Sequence, residues 1–298
     1  MTITLASLAT QFLERSELSQ STIDSYQSTL MPLLKLYGRW TLEIIDRDIL
    51  TEYLSNLTDI KFTTHHRHQA VITALFNFAV EQRLLKSNPV SGLKRRKPDP
   101  NAGEHDSDEE VRYLTKEQLD ILYSLVKKDA RINALVHLLH SSGARITEIL
   151  SLDLVDLDIT RRRFQVIGKG NKQRWCFYND STANCLNNYI KYYRHKEIEA
   201  LFTAQKHQND SISRLSYARA YQSWVQITGN NPELEGICIH NLRHTWATER
   251  AGILQIEELR ALMGHRKIQT TLRYSKVTSQ RAEEIAQLAF TKIRNYGE

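Results

Sequence analysis

Apolar residues recur at helical spacing through most of the first eighty positions. Segments 3–14, 21–37, 46–57 and 63–82 each gather their apolar side chains on one face, as Val71, Leu75, Phe78 and Ala79 do. Ser21 or Thr22 is placed to cap the second helix. The periodicity stops near Lys94-Arg95-Arg96-Lys97, where Pro98 and Pro100 are followed by the acidic run from Glu104 to Glu110. Such a stretch reads as an extended linker over 96–110, with its acidic end in solvent. It separates an N-terminal helical domain, 1–95, from a C-terminal domain, 111–298. Beyond it Thr115 and Gln118 form a capping box, and Leu114 and Leu119 are spaced for a hydrophobic staple, so a new helix starts there.

The second half predicts helices near 115–127, 130–141, 145–152, 181–200, 213–227, 241–251 and 255–263. Residues 163–167 and 173–178 read as two strands around Gly168-Lys169-Gly170-Asn171-Lys172, a run suited to a tight hairpin that presents lysine on a rigid arm. Near the end, Ala282, Ile285, Ala286, Ala289, Phe290 and Ile293 form a narrow apolar stripe on a terminal helix. The plain reading of that stripe is packing on its own domain. The fold class is therefore mainly α with a small β-hairpin or sheet.

Composition narrows the class. A chain of 298 residues is long enough for two domains with cores of their own. No run of eighteen apolar residues occurs, and the polar start lacks a signal-peptide layout, so no membrane partner and no export are expected. The three cysteines, Cys176, Cys185 and Cys238, fit reduced thiols in a cytoplasm better than a disulfide framework. Net charge is +6, but unevenly spread: +3 over 1–98, −6 over 99–110 and +9 over the remainder. The excess points to a polyanionic partner whose binding weakens with salt. Lys61, His65, Arg67 and His68 in the first domain, with Lys94, Arg95 and Arg96 at the start of the linker, are candidate phosphate contacts; a polar outer face of a bundle helix reads equally well for the first four.

The chemistry concentrates in a dispersed polar set. His240 and Arg243 lie three apart on one helix face, an arrangement that binds phosphate oxygens, and arginine keeps its charge at any relevant pH. His265 and Tyr274 follow, and a tyrosine nucleophile needs neighbours of this kind because its pKa is about 10. His240 and His244 are four apart as in a zinc helix, but the metalloprotease motif needs Glu where Asn241 stands, so no metal is expected.

The ordered set resembles the tyrosine recombinase (phage integrase) family: Gly-Ala-Arg-Ile-Thr-Glu at 143–148, Gly-Lys-Gly-Asn-Lys at 168–172, His-Asn-Leu-Arg-His at 240–244, Gly-His at 264–265 and Tyr274 nine positions beyond His265. The resemblance implies a core-binding helical domain followed by a catalytic domain, acting on double-stranded DNA recombination sites. It implies that Arg145 and Arg243 grip the scissile phosphate, that Lys169 protonates the leaving 5′ oxygen, that His240 and His265 assist proton movement and phosphate binding, and that Tyr274 attacks. Glu148 matches the acidic position that supports the pocket, His244 stands beside the pair as a supporting residue, and Lys172 competes with Lys169 for the role of acid. The covalent 3′-phosphotyrosyl intermediate implied there conserves bond energy, so neither ATP nor a metal cofactor is expected. The resemblance further implies a homotetramer on DNA assembled through the terminal helix, a nucleoid-associated place in the cytoplasm, and room for an accessory directionality factor. Trp175-Cys176-Phe177-Tyr178 departs from the proline-containing strand ending of relatives, which leaves the local sheet edge open. A type IB topoisomerase, a catalytically silent DNA-binding protein and a zinc hydrolase are the competing classes.

Overall fold

In the computed structural model the first helix, α1 (Leu5–Leu13), begins where the Thr4 side chain accepts a hydrogen bond from Ser7 N. The structure describes residues 3–104, 111–168, 172–205, 211–274 and 286–287. Contacts divide the chain into two units, Met1–Glu109 and Glu110–Glu298.

Unit 1 continues with α2 (Gln20–Tyr37), α3 (Arg47–Ser55) and α4 (Phe62–Glu81). The cap of α2 is Ser19, not Ser21 or Thr22: its hydroxyl accepts from Thr22 N, so the helix starts one residue earlier than expected. Leu5, Leu8, Phe12, Leu30, Leu33, Leu50, Ile72, Leu75 and Phe76 are fully buried between the four helices. Each such side chain contributes about 1.5–3 kcal/mol by leaving water.

Of the acidic end of the expected linker, Glu104 is described and is not left in solvent, while 105–110 lie outside the described residues. Glu104 accepts hydrogen bonds from Phe62 N (2.7 Å) and Asp99 N (3.1 Å), and pairs with Arg96 at 2.6 Å. A carboxylate at the first turn of α4 meets unpaired N–H groups and the positive end of the helix dipole, which explains why this acid folds back onto the bundle.

Unit 2 opens on α5 (Lys116–Val126), whose Thr115–Gln118 capping box forms as expected and whose flanking Leu114 and Leu119 are both buried. Next comes α6 (Ala130–Ser142), with Ile132, Ala134, Leu135, Val136, Leu138 and Leu139 buried; apolar on nearly every side, it occupies the centre of the unit. The short α7 (Ile146–Leu150) leads to a three-stranded antiparallel sheet of β1 (Leu157–Asp158), β2 (Arg163–Gly168) and β3 (Lys172–Phe177), in that order. The hairpin is in register from Arg163 opposite Phe177 to Gly168 opposite Lys172, so β3 keeps its pairing through the segment that lacks proline.

After α8 (Asp180–Tyr192), the expected helix over 181–200 is cut short. Arg194 is buried and donates from its guanidinium to the carbonyls of Ile198 and Ala200, which turns the chain so that Leu201 and Phe202 enter the core. A two-stranded ladder of β4 (Thr203–Gln205) and β5 (Ile212–Arg214) follows; β5 occupies the start of the helix expected over 213–227. That helix, α9 (Tyr217–Thr228), begins only after Ser216 caps it. The chain ends its described course with α10 (Asn241–Arg250), α11 (Ile256–Met263) and α12 (Gln269–Leu272). Of the terminal stripe, Ala286 is described and exposed; Ala282, Ile285, Ala289, Phe290 and Ile293 lie outside the described residues. No helix among the described residues is long and apolar enough to cross a membrane.

Candidate active site

The turn between α6 and α7 is fixed by a glycine. Gly143 ends α6 with φ +63°, and a Cβ there would lie 2.4 Å from the Trp246 ring of α10. Trp246 Nε1 donates to the Ser141 carbonyl at 2.9 Å, so the indole clamps the turn. Only glycine satisfies both the left-handed backbone and this approach. The turn delivers Arg145 to the cap position of α7.

Glu148, buried at 8% exposure, is the hub of the site. Its carboxylate accepts from Arg145 N at 2.7 Å and Arg145 Nη1 at 2.9 Å, and from Arg174 Nη1 and Nη2 at 2.9 and 2.7 Å. Burial alone would raise its pKa, but the Arg174 hydrogen bonds, the Arg145 backbone N–H and both positive charges outweigh it and pull it down to about 2. Arg174 on β3 was not singled out from sequence. Its signal was a basic residue two positions after Lys172, sharing the strand face that buries Cys176. Its Nε also donates to the Leu262 carbonyl at 3.1 Å, tying the hairpin to the end of α11.

Arg243 is 2% exposed, and its guanidinium is held by backbone. Nη1 donates to the Gly143 carbonyl, and Nη2 donates to the Met263 carbonyl at 2.6 Å and to His265 Nε2 at 3.1 Å. Arg145 Nη2 reaches the next carbonyl, Gly264, at 3.5 Å, so both arginines converge on the 263–265 turn. Gly264 sits there with φ +63°, and a Cβ would press on the Arg174 guanidinium at 2.9 Å. Burial and the Arg145 charge lower the Arg243 pKa to about 10, which still leaves it charged at neutral pH.

Because His265 Nε2 accepts from Arg243, Nδ1 carries the proton and donates to Thr271 Oγ1 at 2.9 Å. Burial, then the surrounding arginines with Arg243 foremost, push its pKa down to about 3, so it is neutral. Its ring lies parallel to that of Tyr274, centroids 6.3 Å apart. The Tyr274 hydroxyl is 2.7 Å from His244 Nδ1, and the residue is 6% exposed. Burial raises the phenol pKa; Arg243, Arg273 and Arg145 oppose it. His240, at the cap of α10 with helical backbone, stands edge-on to His244 with centroids 4.7 Å apart.

Seven of the residues singled out in the second half of the sequence therefore gather around one turn: Arg145, Glu148, His240, Arg243, His244, His265 and Tyr274. Lys169 lies outside the described residues, as does the side chain of Lys172, whose backbone starts β3. Among the described residues no group of three or more His, Cys, Asp or Glu side chains is placed to hold a metal ion.

The candidate phosphate contacts of unit 1 divide. Lys61, Arg67, Lys94 and Arg95 are exposed. His65 and His68 are not surface groups: both are 6% exposed, and His65 Nε2 bonds the Leu54 carbonyl at 3.0 Å. They fall on the inner face of α4, beside Gln69 and Ile72. Arg96 is committed to Glu104 and to the Ile60 carbonyl, which takes it from the set of free cations.

Residues 112–281, more than half of the chain, match the sequence profile of the phage integrase family. The chain belongs to that family. It is a tyrosine recombinase, a site-specific DNA recombination enzyme of mostly helical fold with small antiparallel sheets. Its similarity to relatives runs nearly end to end. Tyrosine recombinase XerC of Haemophilus influenzae is 27% identical over 293 residues, covering 93% of this chain and 94% of that protein. The XerC of Herpetosiphon aurantiacus is 26% identical, with 91% and 90% covered. The Tn1549 transposon integrase, in complex with transposon right end DNA, superposes with a TM-score of 0.74 at 19% identity, over 96% of this chain and all of that one. XerH recombinase bound to its difH substrate gives 0.66 at 21% identity, over 89% and 78%. At such identities the structural likeness speaks for the fold.

Proposed function

We propose that this recombinase cleaves and rejoins double-stranded DNA at specific sites through a covalent 3′-phosphotyrosyl intermediate on Tyr274, without metal or ATP. The observation that carries the reading is the convergence of Arg145 and Arg243 on adjacent carbonyls of the 263–264 turn, ten and eleven residues before a tyrosine whose ring packs on His265. Two guanidinium groups so fixed offer N–H donors to the non-bridging oxygens of a phosphodiester and oppose the charge that builds at phosphorus. Exchange of one phosphoester for another conserves the bond energy for rejoining.

In this reading Arg145 and Arg243 bind the phosphate, Glu148 and Arg174 hold Arg145, and His265 and His240 complete the wall of the site. Lys169 of the hairpin arm, with Lys172 as the alternative, supplies the proton to the leaving 5′ oxygen. Unit 1 serves as a core-binding domain, with Lys61, Arg67, Lys94 and Arg95 on the DNA backbone. The relatives whose structures contain recombination-site or transposon-end DNA support a duplex as the partner. The apolar stripe from Ala282 to Ile293 is assigned to docking on a neighbouring copy within a tetramer; a chain cut at 279 should keep its DNA affinity and lose assembly on DNA.

A nicked suicide substrate that loses its 5′ fragment after cleavage tests the reading. Wild-type protein should accumulate a protein–DNA adduct stable to denaturant, and Tyr274→Phe should bind the same DNA and form none. Two-site strand exchange, rather than relaxation of supercoils alone, separates recombination from type IB topoisomerase activity.

A further inference from the structure

The proposed chemistry has to place one further proton, the one on the attacking phenol. Among the described residues around Tyr274, most are unable to take it. The arginines only donate. Both nitrogens of His265 are engaged, Nε2 by Arg243 and Nδ1 by Thr271. Both oxygens of Glu148 are held by Arg145 and Arg174. His240 stands edge-on to His244 and makes no hydrogen bond to the phenol, whereas among the described residues His244 touches the hydroxyl, with Nδ1 at 2.7 Å.

We propose that His244 is the general base of strand cleavage, accepting the Tyr274 proton on Nδ1 as the phenol oxygen attacks phosphorus. The inference rests on the covalent reading above. The Oη–H bond breaks toward Nδ1, the Oη–P bond forms, and the P–O5′ bond breaks with its electron pair going to the 5′ oxygen, which is protonated by the hairpin lysine. On rejoining, the 5′ hydroxyl attacks, the Tyr274 oxygen leaves, and Nδ1–H returns the proton to it. No redox partner is needed.

Electrostatics times the transfer. The groups facing His244 are His240 on its own helix, Arg243 below it, and Arg273 and Tyr274 from the segment after α12. Burial first, then His240, Arg273 and Arg243, hold the imidazole pKa down to about 4, so it is a neutral acceptor when DNA is absent. A phosphate between Arg145 and Arg243 brings negative charge to the same place, offsets the guanidinium charges and raises the basicity of His244 as the substrate seats.

The test is single-turnover adduct formation on the suicide substrate from pH 5 to 9, with saturating protein, comparing wild type, His244→Asn, His244→Ala and Tyr274→Phe. Asparagine keeps a hydrogen-bonding atom near the place of Nδ1 but is unable to take the proton. His244→Asn should bind DNA as wild type does and form adduct about 10²-fold more slowly at pH 7. Its rate should climb about tenfold per pH unit, as expected when hydroxide replaces the missing base, while wild type stays flatter. Added imidazole should partly restore His244→Ala and leave Tyr274→Phe inert. A His244→Asn rate within threefold of wild type overturns the proposal, as does a slow variant whose pH profile parallels wild type and that imidazole leaves unrescued in His244→Ala. Failure of wild type to form any adduct overturns the covalent reading instead, so the two failures are distinct.

Discussion

Glu148 and Arg174 face each other through two parallel hydrogen bonds of 2.7 and 2.9 Å, one strand reaching across to the helix that carries Arg145. With the Glu148 pKa pulled down to about 2 by these bonds, the Arg145 N–H and the two charges, it stays ionised throughout the physiological range. Removing one partner leaves a buried charge uncompensated, which costs about 3 kcal/mol. Glu148→Gln should therefore lower thermal stability and slow adduct formation more than it weakens DNA binding, because Arg145 loses its tether. Equal losses in binding and in cleavage rate would place the role of Glu148 elsewhere.

Gly143 offers a second, steric test. Gly143→Ala asks for a left-handed backbone at alanine and sets a methyl 2.4 Å from the Trp246 ring. The turn has to move, and with it the carbonyl that receives Arg243 Nη1. Loss of about 2 kcal/mol in stability is expected, measured by denaturant unfolding, together with a slower cleavage step. A double variant with Trp246→Ala should recover part of the cleavage rate by making room; no recovery would mean that backbone strain alone is at work.

Much of this site was legible in the sequence, because its members occur in short motifs whose order is distinctive: Gly143 with Arg145 and Glu148, His240 with Arg243 and His244, Gly264 with His265. Arg174 was not legible, since a single basic residue on a strand carries no motif, and its importance comes from the Glu148 carboxylate and Leu262 carbonyl it meets in space. The helices of unit 1 followed from their apolar period. The expected helix over 213–227 overran because Leu215 fits an apolar helix face as well as it fits the edge of a small ladder, and the one over 181–200 because the turn after α8 is set by Arg194 donating to the Ile198 and Ala200 carbonyls, which no local motif announces. His65 and His68 suit a polar outer face of a bundle helix in sequence; the face of α4 on which they fall is decided by Val71, Ile72 and Leu75 packing inward.

Acid should loosen the site. The His265 pKa lies far below its unfolded value, at about 3, so the unfolded chain binds a proton that the folded one refuses. Stability is then constant above the unfolded pKa of about 6.5 and falls as pH drops below it, levelling only near the folded value. At pH 5 this single group removes at most about 2 kcal/mol. The melting temperature of wild type should fall between pH 7.5 and 5; His265→Gln, which keeps an acceptor for Arg243, should start lower and fall less. An identical slope in the variant would assign the acid sensitivity to His244 and His240 instead.

In unit 1, Glu104 closes the first turn of α4 and neutralises Arg96. Glu104→Ala should expose Phe62 N and free the Arg96 guanidinium. Amide exchange at the start of α4 should speed up while the core strands and helices of unit 2 keep their protection. Unaltered exchange at Phe62 would show that water serves the helix end equally well.

The central claim, that the phenol of Tyr274 becomes joined to the 3′ phosphate of cut DNA, is tested most directly by digesting the trapped adduct and locating the nucleotide by mass spectrometry. The account predicts a single modified peptide, carrying a 3′-linked nucleotide on Tyr274, formed with chelator present and no nucleotide triphosphate added. A nucleotide on any other side chain, or cleaved strands free of protein, would contradict it.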